Sequence, residues 1–312
     1  RRVMLLARMG SPTWRLQTME PVPVIVTPAP GAPARMPFWH GEYAARSMHL
    51  TARVGELRRV LTAIESDADI ERVAGEYQSD VATVRSLATY VREQRPATGV
   101  APDDRVLDPE HFREETGAVR VVLDAPFGGR VNAPWGMALA QRFRNALRVE
   151  VQVQTSDDGI MLRLSNLDDD PPMQLLHGLT PEEATQRITE EVGDSSLFGA
   201  RFRMNAGRAL LLPRGSPRRR MPLWLQRLKA QDLLEAVREF PSFPILVETY
   251  RDVLQDAFDL PALRHVLKAV SDGQIGIRTV ATEQPSPMAM SLQFGFVMDW
   301  MYADDTPRAE RA

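Results

Sequence analysis

The chain has 312 residues, 44 % hydrophobic and 25 % charged, with a formal net charge of −3, so it is globular and neither fibrous nor wholly disordered. It has no cysteine, which excludes disulfides, thiolate zinc sites, iron–sulfur clusters and cysteine nucleophiles together. Two of its 38 basic residues are lysines, Lys229 and Lys268, leaving 36 arginines. A GC-rich genome would give that bias, and arginine is also the better phosphate fork. With net charge slightly negative, any nucleic-acid contact must come from local basic faces.

The chain opens on Arg1, and Val3-Met4-Leu5-Leu6-Ala7 reads as a strand with no preceding cap, which predicts a start inside a domain. Arg2–Met9, Thr13–Met19 and Val22–Thr27 are β-type runs separated by Gly10-Ser11-Pro12 and Glu20-Pro21, predicting a sheet or part of a barrel over residues 1–46. The proline-rich 28–33 leaves that sheet as an extended loop ending at Pro37-Phe38-Trp39-His40-Gly41. From Met48 to about Arg95 apolar residues recur at helical spacing, predicting two or three packed helices in a segment 47–100. Pro96–Pro102 reads as a linker, and 101–312 as a mixed α+β region rich in helices. The fold class expected is therefore α+β.

Beyond the linker, Ala118–Leu123 is a strand, and Asn132-Ala133-Pro134 resembles the cap and first turn of a helix running to about Leu147. Val149–Thr155 and Gly159–Ser165 form a hairpin across Ser156-Asp157-Asp158-Gly159. Thr180 and Glu183 mark the start of a helix over Pro181–Val192. Helices follow over Ser195–Leu212, Pro222–Phe240, Pro244–Phe258, Pro261–Ser271 and Pro287–Tyr302, with a strand over Ile275–Thr282.

Familiar catalytic signatures are absent. Neither lysine follows a glycine, so neither serves a phosphate-binding loop, and no two of His40, His49, His111, His177 and His265 stand at the spacing of a helical zinc pair. Asp168-Asp169-Asp170 runs into Pro171-Pro172 and reads as a solvated turn rather than a metal site. Apolar runs fall short of the roughly 18 residues of a membrane span, and no secretory signal is evident, so the compartment expected is the cytoplasm.

Three arginine segments interleave with aromatics: Arg142–Arg148, Arg201–Arg208 with Arg203, and Arg214–Arg227 with Arg218, Arg219, Arg220 and Trp224. Backbone phosphates are the natural partner for the last, which carries no acidic residue; a solvated loop before a helix fits the same pattern. Arg201 or Arg203 could instead pair with Glu190 or Glu191. Trp39 and Trp135 follow prolines where regular structure breaks, positions suited to stacking on an unpaired base but equally to core packing.

Taken in order, Gly10…Thr13-Trp14-Arg15, Thr27-Pro28-Ala29-Pro30-Gly31, Met36-Pro37-Phe38-Trp39-His40-Gly41, Pro126-Phe127-Gly128…Val131-Asn132-Ala133-Pro134-Trp135, Ser156–Ile160 and Gln284-Pro285-Ser286-Pro287…Phe294-Gly295 resemble the large helicase-related (Lhr) family of superfamily-2 DNA helicases. The chain departs from that pattern at Ala45-Arg46-Ser47, at Asn132, where histidine is common, and at Ala303-Asp304. The resemblance implies that RecA-like motor and winged-helix domains lie upstream, that ATP and Mg belong to those domains and not to this region, and that this region grips the tracking single strand of DNA or of a tailed duplex. It directs attention to Trp39 or Trp135 as a base-stacking wedge, with His40, Arg130 and Asn132 beside them. Two rivals stand: a structural brace for the motor that touches no nucleic acid, and a glycosylase-type base-processing module, for which Asp157 and Asp158 are the loop acids available.

Overall fold

A computed structural model describes residues 6–8, 13–19, 24–30, 45–165, 167–213 and 222–294. Strands β1 (Leu6–Arg8), β2 (Thr13–Met19) and β3 (Val24–Pro28) pair as an antiparallel meander, with an irregularity between Leu16 and Thr18. They form an open three-stranded sheet, and no closed barrel is seen among the described residues.

Three capped helices follow. Ser47 starts α1 (Met48–Thr62), a reciprocal Ser66–Asp69 capping box starts α2 (Asp67–Glu76), and Asp80 starts α3 (Val81–Thr98). Leu61, Ile70, Val73, Val84, Ala88 and Val91 form their shared core, which Met288 joins from far along the chain. The expected linker is not one. Helix α3 runs through Pro96 and stops at Gly99, whose φ of 88° is the left-handed conformation of a C-cap. Proline near a C-terminus forfeits only the bond to Arg92, an exposed residue. Thr98, Ala101 and Pro102 are buried, so this junction packs against its surroundings.

The main sheet holds β5 (Glu110–Arg113), β6 (Val119–Asp124), β7 (Val151–Thr155), β8 (Gly159–Leu164) and β10 (Val280–Ala281) in the order β10-β5-β6-β8-β7, antiparallel except at the β10 edge. Every residue of β6 is buried because both faces of the sheet are covered. Val119, Val121, Leu123, Ile160, Leu162 and Leu164 face the principal core, whereas Phe112, Val122 and Met161 meet Ala289 and Leu292 of a helix over residues 287–294. The expected single strand 275–282 instead divides, with β9 (Gly276–Ile277) pairing in parallel with β4 (Val106–Leu107) and β10 with β5.

Helix α4 (Gly129–Leu147) lies against β7 and β8. It starts three residues before the expected cap, so Asn132 and Pro134 sit inside it. Proline there leaves the Arg130 carbonyl without its helical donor, and the Asp259 amide fills the place at 2.9 Å. Gly136 permits the close approach to the sheet, since a Cβ there would stand 2.8 Å from Thr155 Cγ2 and 3.0 Å from Val153 Cγ2. Behind α4 pack α5 (Pro181–Val192), capped by Thr180, and α9 (Leu260–Ser271), followed by α6 (Ser196–Arg208), α7 (Leu223–Val237) and α8 (Pro244–Arg251) with a π-helical extension over Asp252–Ala257, all joined to the principal core.

A buried polar network joins the two cores. Glu110 accepts from the Ser286 hydroxyl at 2.7 Å and from Thr282, and Gln94 bonds Ser286 and the Met288 amide. Two residues before Glu110 sits Asp108, 2 % exposed, whose carboxylate oxygens have no hydrogen-bond partner. Burial pushes its carboxyl up to about 6; the nearby Thr98 hydroxyl, which donates to the Val100 carbonyl, and Arg278 oppose this only in part. A carboxyl raised on folding holds its proton in the native state where the unfolded chain has lost it. Stability is therefore expected to fall as pH rises from about 4 to about 6, by on the order of 3 kcal/mol at ~1.4 kcal/mol per tenfold change in proton affinity. Burial raises Glu110 in the same direction. Denaturant melts across this window should show the decline, and Asp108→Asn should flatten it and raise stability at pH 7; an unchanged profile would remove Asp108 as its source.

Candidate nucleic-acid interface

Helices α6 and α7 pack side by side, joined by a connection whose residues 214–221 lie outside those described. Only Ala230, Leu234 and Val237 of α7 are buried, a narrow stripe that anchors its second half. Its first half therefore presents Leu223, Trp224, Arg227 and Leu228 to solvent, with Trp224 66 % exposed. Trp224, Arg227 and Leu228 share one helical face by their i, i+3 and i+4 spacing. From α6, half-buried Arg203 adds its guanidinium, and exposed Met204 and Arg208 stand nearby in sequence. Partial burial and then the Arg227 charge lower the Arg203 pKa, the signature of a cation beside another cation. A bound anion would be attracted to these two charges, and the exposed indole of Trp224, one turn from Arg227, offers a flat stacking surface.

The other expected residues serve the fold or fall outside it. Trp135 is 1 % exposed, packed in the principal core against Phe127 at a ring separation of 6.2 Å, and it presents no face to a base. Asn132 is fully buried, and its amide donates to the Ala125 and Ser156 carbonyls at 2.7 and 2.9 Å, so it ties α4 to the β7–β8 turn. Arg130 donates to the Gln255 carbonyl, and Arg201 lies 3.7 Å from Asp252, the partner it takes in place of Glu190 or Glu191. Glu191 is engaged by Arg144 instead. Trp39, His40, Arg218, Arg219 and Arg220 lie outside the described residues.

The β7–β8 turn holds a network that sequence reasoning missed. Asp157 accepts from the Gly129 amide at 2.6 Å and so caps α4, which has no side-chain cap of its own; Gly128, at φ 88°, is pressed 2.6 Å (counted from an added Cβ) from the Arg46 carbonyl. Arg46 bridges Asp157 and Asp158, and Arg58 of α1 reaches both Asp158 and buried Asp124. A sequence signal was Asp124, an acid directly after the apolar run Val121-Val122-Leu123. With both loop acids held by arginines or by a helix N-terminus, Asp157 and Asp158 act as ties between α1, the sheet and α4.

Comparison with known proteins agrees with this architecture. The DEAD/H associated family model matches residues 101–289, more than half of the chain. The Escherichia coli protein "Lhr helicase/uracil glycosylase" is 41 % identical over 310 residues, covering 99 % of this chain and 20 % of that protein. The Mycolicibacterium smegmatis "Lhr helicase/ probable uracil glycosylase" is 42 % identical over 303 residues, with 97 % and 20 % covered. The chain thus spans about a fifth of the length of these curated relatives. Among solved structures, that of Mycobacterium smegmatis helicase Lhr bound to ssDNA and AMP-PNP superimposes with a TM-score of 0.74 at 39 % identity, over 84 % of this chain and 33 % of that one. Order of motifs, fold and family model converge, and the chain belongs to the Lhr helicase family, whose DEAD/H associated region it contains.

Proposed function

We propose that this chain is an accessory region of an ATP-dependent DNA helicase, lying C-terminal to the motor and winged-helix domains and gripping the single strand along which the motor moves. The observation that carries this reading is the α6–α7 face, where exposed Trp224 lies one helical turn from Arg227, whose charge acts on Arg203 of α6. Arg214, Arg218, Arg219 and Arg220 continue the same basic run in sequence. The likeness to a helicase solved with single-stranded DNA supports the choice of ligand. ATP and Mg are used by the motor domains, and the role served is DNA repair in the cytoplasm. Trp39, with His40, is the remaining proposal for the wedge.

A brace that never touches DNA would leave the α6–α7 cations irrelevant to binding. Titrating single-stranded oligonucleotides into this chain and into the full-length helicase at several salt concentrations separates the two. Arg203→Ala should shallow the log–log salt slope by roughly 0.7, one single-strand phosphate contact. Trp224→Ala should cost about 1–3 kcal/mol of affinity with little change in that slope. A wild-type chain without salt-dependent binding, or two variants indistinguishable from it, would favour the brace.

A further inference from the structure

Between the β7–β8 turn and the helical residues 287–294 lies a cavity of about 210 Å³. The turn is pressed flat there, since a Cβ on Gly159 would stand 2.6 Å from the Leu123 carbonyl and 2.8 Å from Leu292 Cδ1. Buried Met161 and Leu292 give the cavity an apolar lining, whereas Thr155, Ser156, Asp158 and Ser291 give it a polar one. Its size is below the ~300 Å³ at which pockets for drug-sized ligands begin. It is open to solvent on one side, so a single heteroaromatic ring fits with the rest of a strand lying outside.

The polar groups favour one kind of ring. Asp158 Oδ1 meets Arg46 at 2.6 Å and Arg58 at 3.1 Å, so its charge is compensated while the carboxylate still accepts an N–H. Beside it, the Ser156 hydroxyl oxygen accepts from the Asp158 amide at 3.1 Å, which leaves its hydrogen to donate elsewhere. The Ser291 hydroxyl donates to the Met288 carbonyl at 2.7 Å and also interacts with the Tyr90 phenol, so one lone pair of its oxygen remains to accept. A carboxylate at the rim repels phosphate, and the hydroxyls disfavour a purely apolar guest. Alternating N–H and carbonyl groups on the edge of a flat ring, the pattern of a nucleobase, meet these needs, and thioether and leucine atoms receive its face.

We propose that this cavity is a subsite for one unpaired nucleobase of the bound strand, an inference that rests on the DNA-binding reading above. The subsite belongs to different elements from the α6–α7 face and adds recognition of one base edge to the phosphate and stacking contacts of that face.

The test uses a set of single-stranded oligonucleotides, each with one nucleotide made abasic, titrated against the purified chain. In the wild-type protein one position should show a loss of affinity of roughly five- to hundredfold, the range for a single base contact. Ser291→Phe, at an exposed helical position, fills the cavity and should abolish the penalty at that position; Ser291→Gln should reduce it, and Ser291→Ala, which removes one acceptor but leaves the cavity open, should reduce it least. Trp224→Ala should leave that position's penalty in place. Thermal melts of each variant establish that it is folded, and the glutamine variant carries the test if the phenylalanine does not fold. Salt-dependent binding with no abasic penalty, or a penalty that survives both fillers, overturns the subsite while leaving the DNA-binding reading intact. No binding by the wild-type chain overturns both.

Discussion

Trp135→Ala is expected to lower the free energy of unfolding by about 3–5 kcal/mol, the range for removing a large aromatic from a packed core. The indole is 1 % exposed and lies among Phe127, Val131 and Leu139 where α4 crosses the sheet. At Gly136, the next residue, helix and sheet already stand in close contact, so the neighbours have little room to collapse into the space that the ring would leave. The melting midpoint should fall by on the order of 10 °C. The indole N–H has no hydrogen-bond partner, which predicts a milder loss for Trp135→Phe, since that variant keeps much of the ring volume and removes a buried donor. Paired melting and DNA titration decide the role of this residue: a normal melt with weakened single-strand binding would return Trp135 to the interface.

Trp135, which the sequence left open between stacking and core, shows which part of the fold local signals carry. Pro134 breaks the local pattern, and the segment therefore reads as the edge of a helix, where a tryptophan is free to face solvent. The helix in fact continues, because the Asp259 amide, more than a hundred residues away in sequence, takes the carbonyl that proline leaves open. No local signal announces that donor. The same holds at Pro96, inside the last turn of α3, where burial of Thr98 and Ala101 turns an apparent linker into packed structure. Local chemistry was legible where it decides the outcome alone: Thr180 caps α5, Ser195 caps α6, and the Ser156–Gly159 turn closes the β7–β8 hairpin through the Ser156 amide and Gly159 carbonyl. Of the candidate interface, Trp224 and Arg203 stand in an arginine and aromatic pattern legible in the sequence, but the pairing of Arg201 with Asp252, in the extension of α8, has no local signal.

Breaking the Arg58–Asp124 pair should be as costly as emptying the core. Arg58 Nη1 lies 2.8 Å from Asp124 Oδ1, both side chains are largely buried, and the second nitrogen reaches Asp158 at 3.1 Å. Burial works against the charge on both partners. It pushes the Asp124 carboxyl up, opposed by Arg58; for Arg58 the nearby Asp124 and Asp158 outweigh it and leave the guanidinium pKa raised. Arg58→Met keeps much of the stem and strands the carboxylate, at an expected cost of about 3–5 kcal/mol. The deficit should depend on pH with a definite sign. A carboxyl whose folded pKa lies above its unfolded value destabilises the fold only while ionised, so the loss in Arg58→Met should be largest near neutrality and shrink as pH falls through the native pKa of Asp124. Removing the stranded charge should rescue the protein, and Arg58→Met with Asp124→Leu should recover most of the stability at pH 7. Chemical denaturation of the two single variants and the double variant at pH 5 and 7 measures this coupling. Additive losses, with no rescue in the double variant, would show that α1 is held to the sheet by packing alone and that the Asp124–Arg58–Asp158 chain contributes nothing of its own.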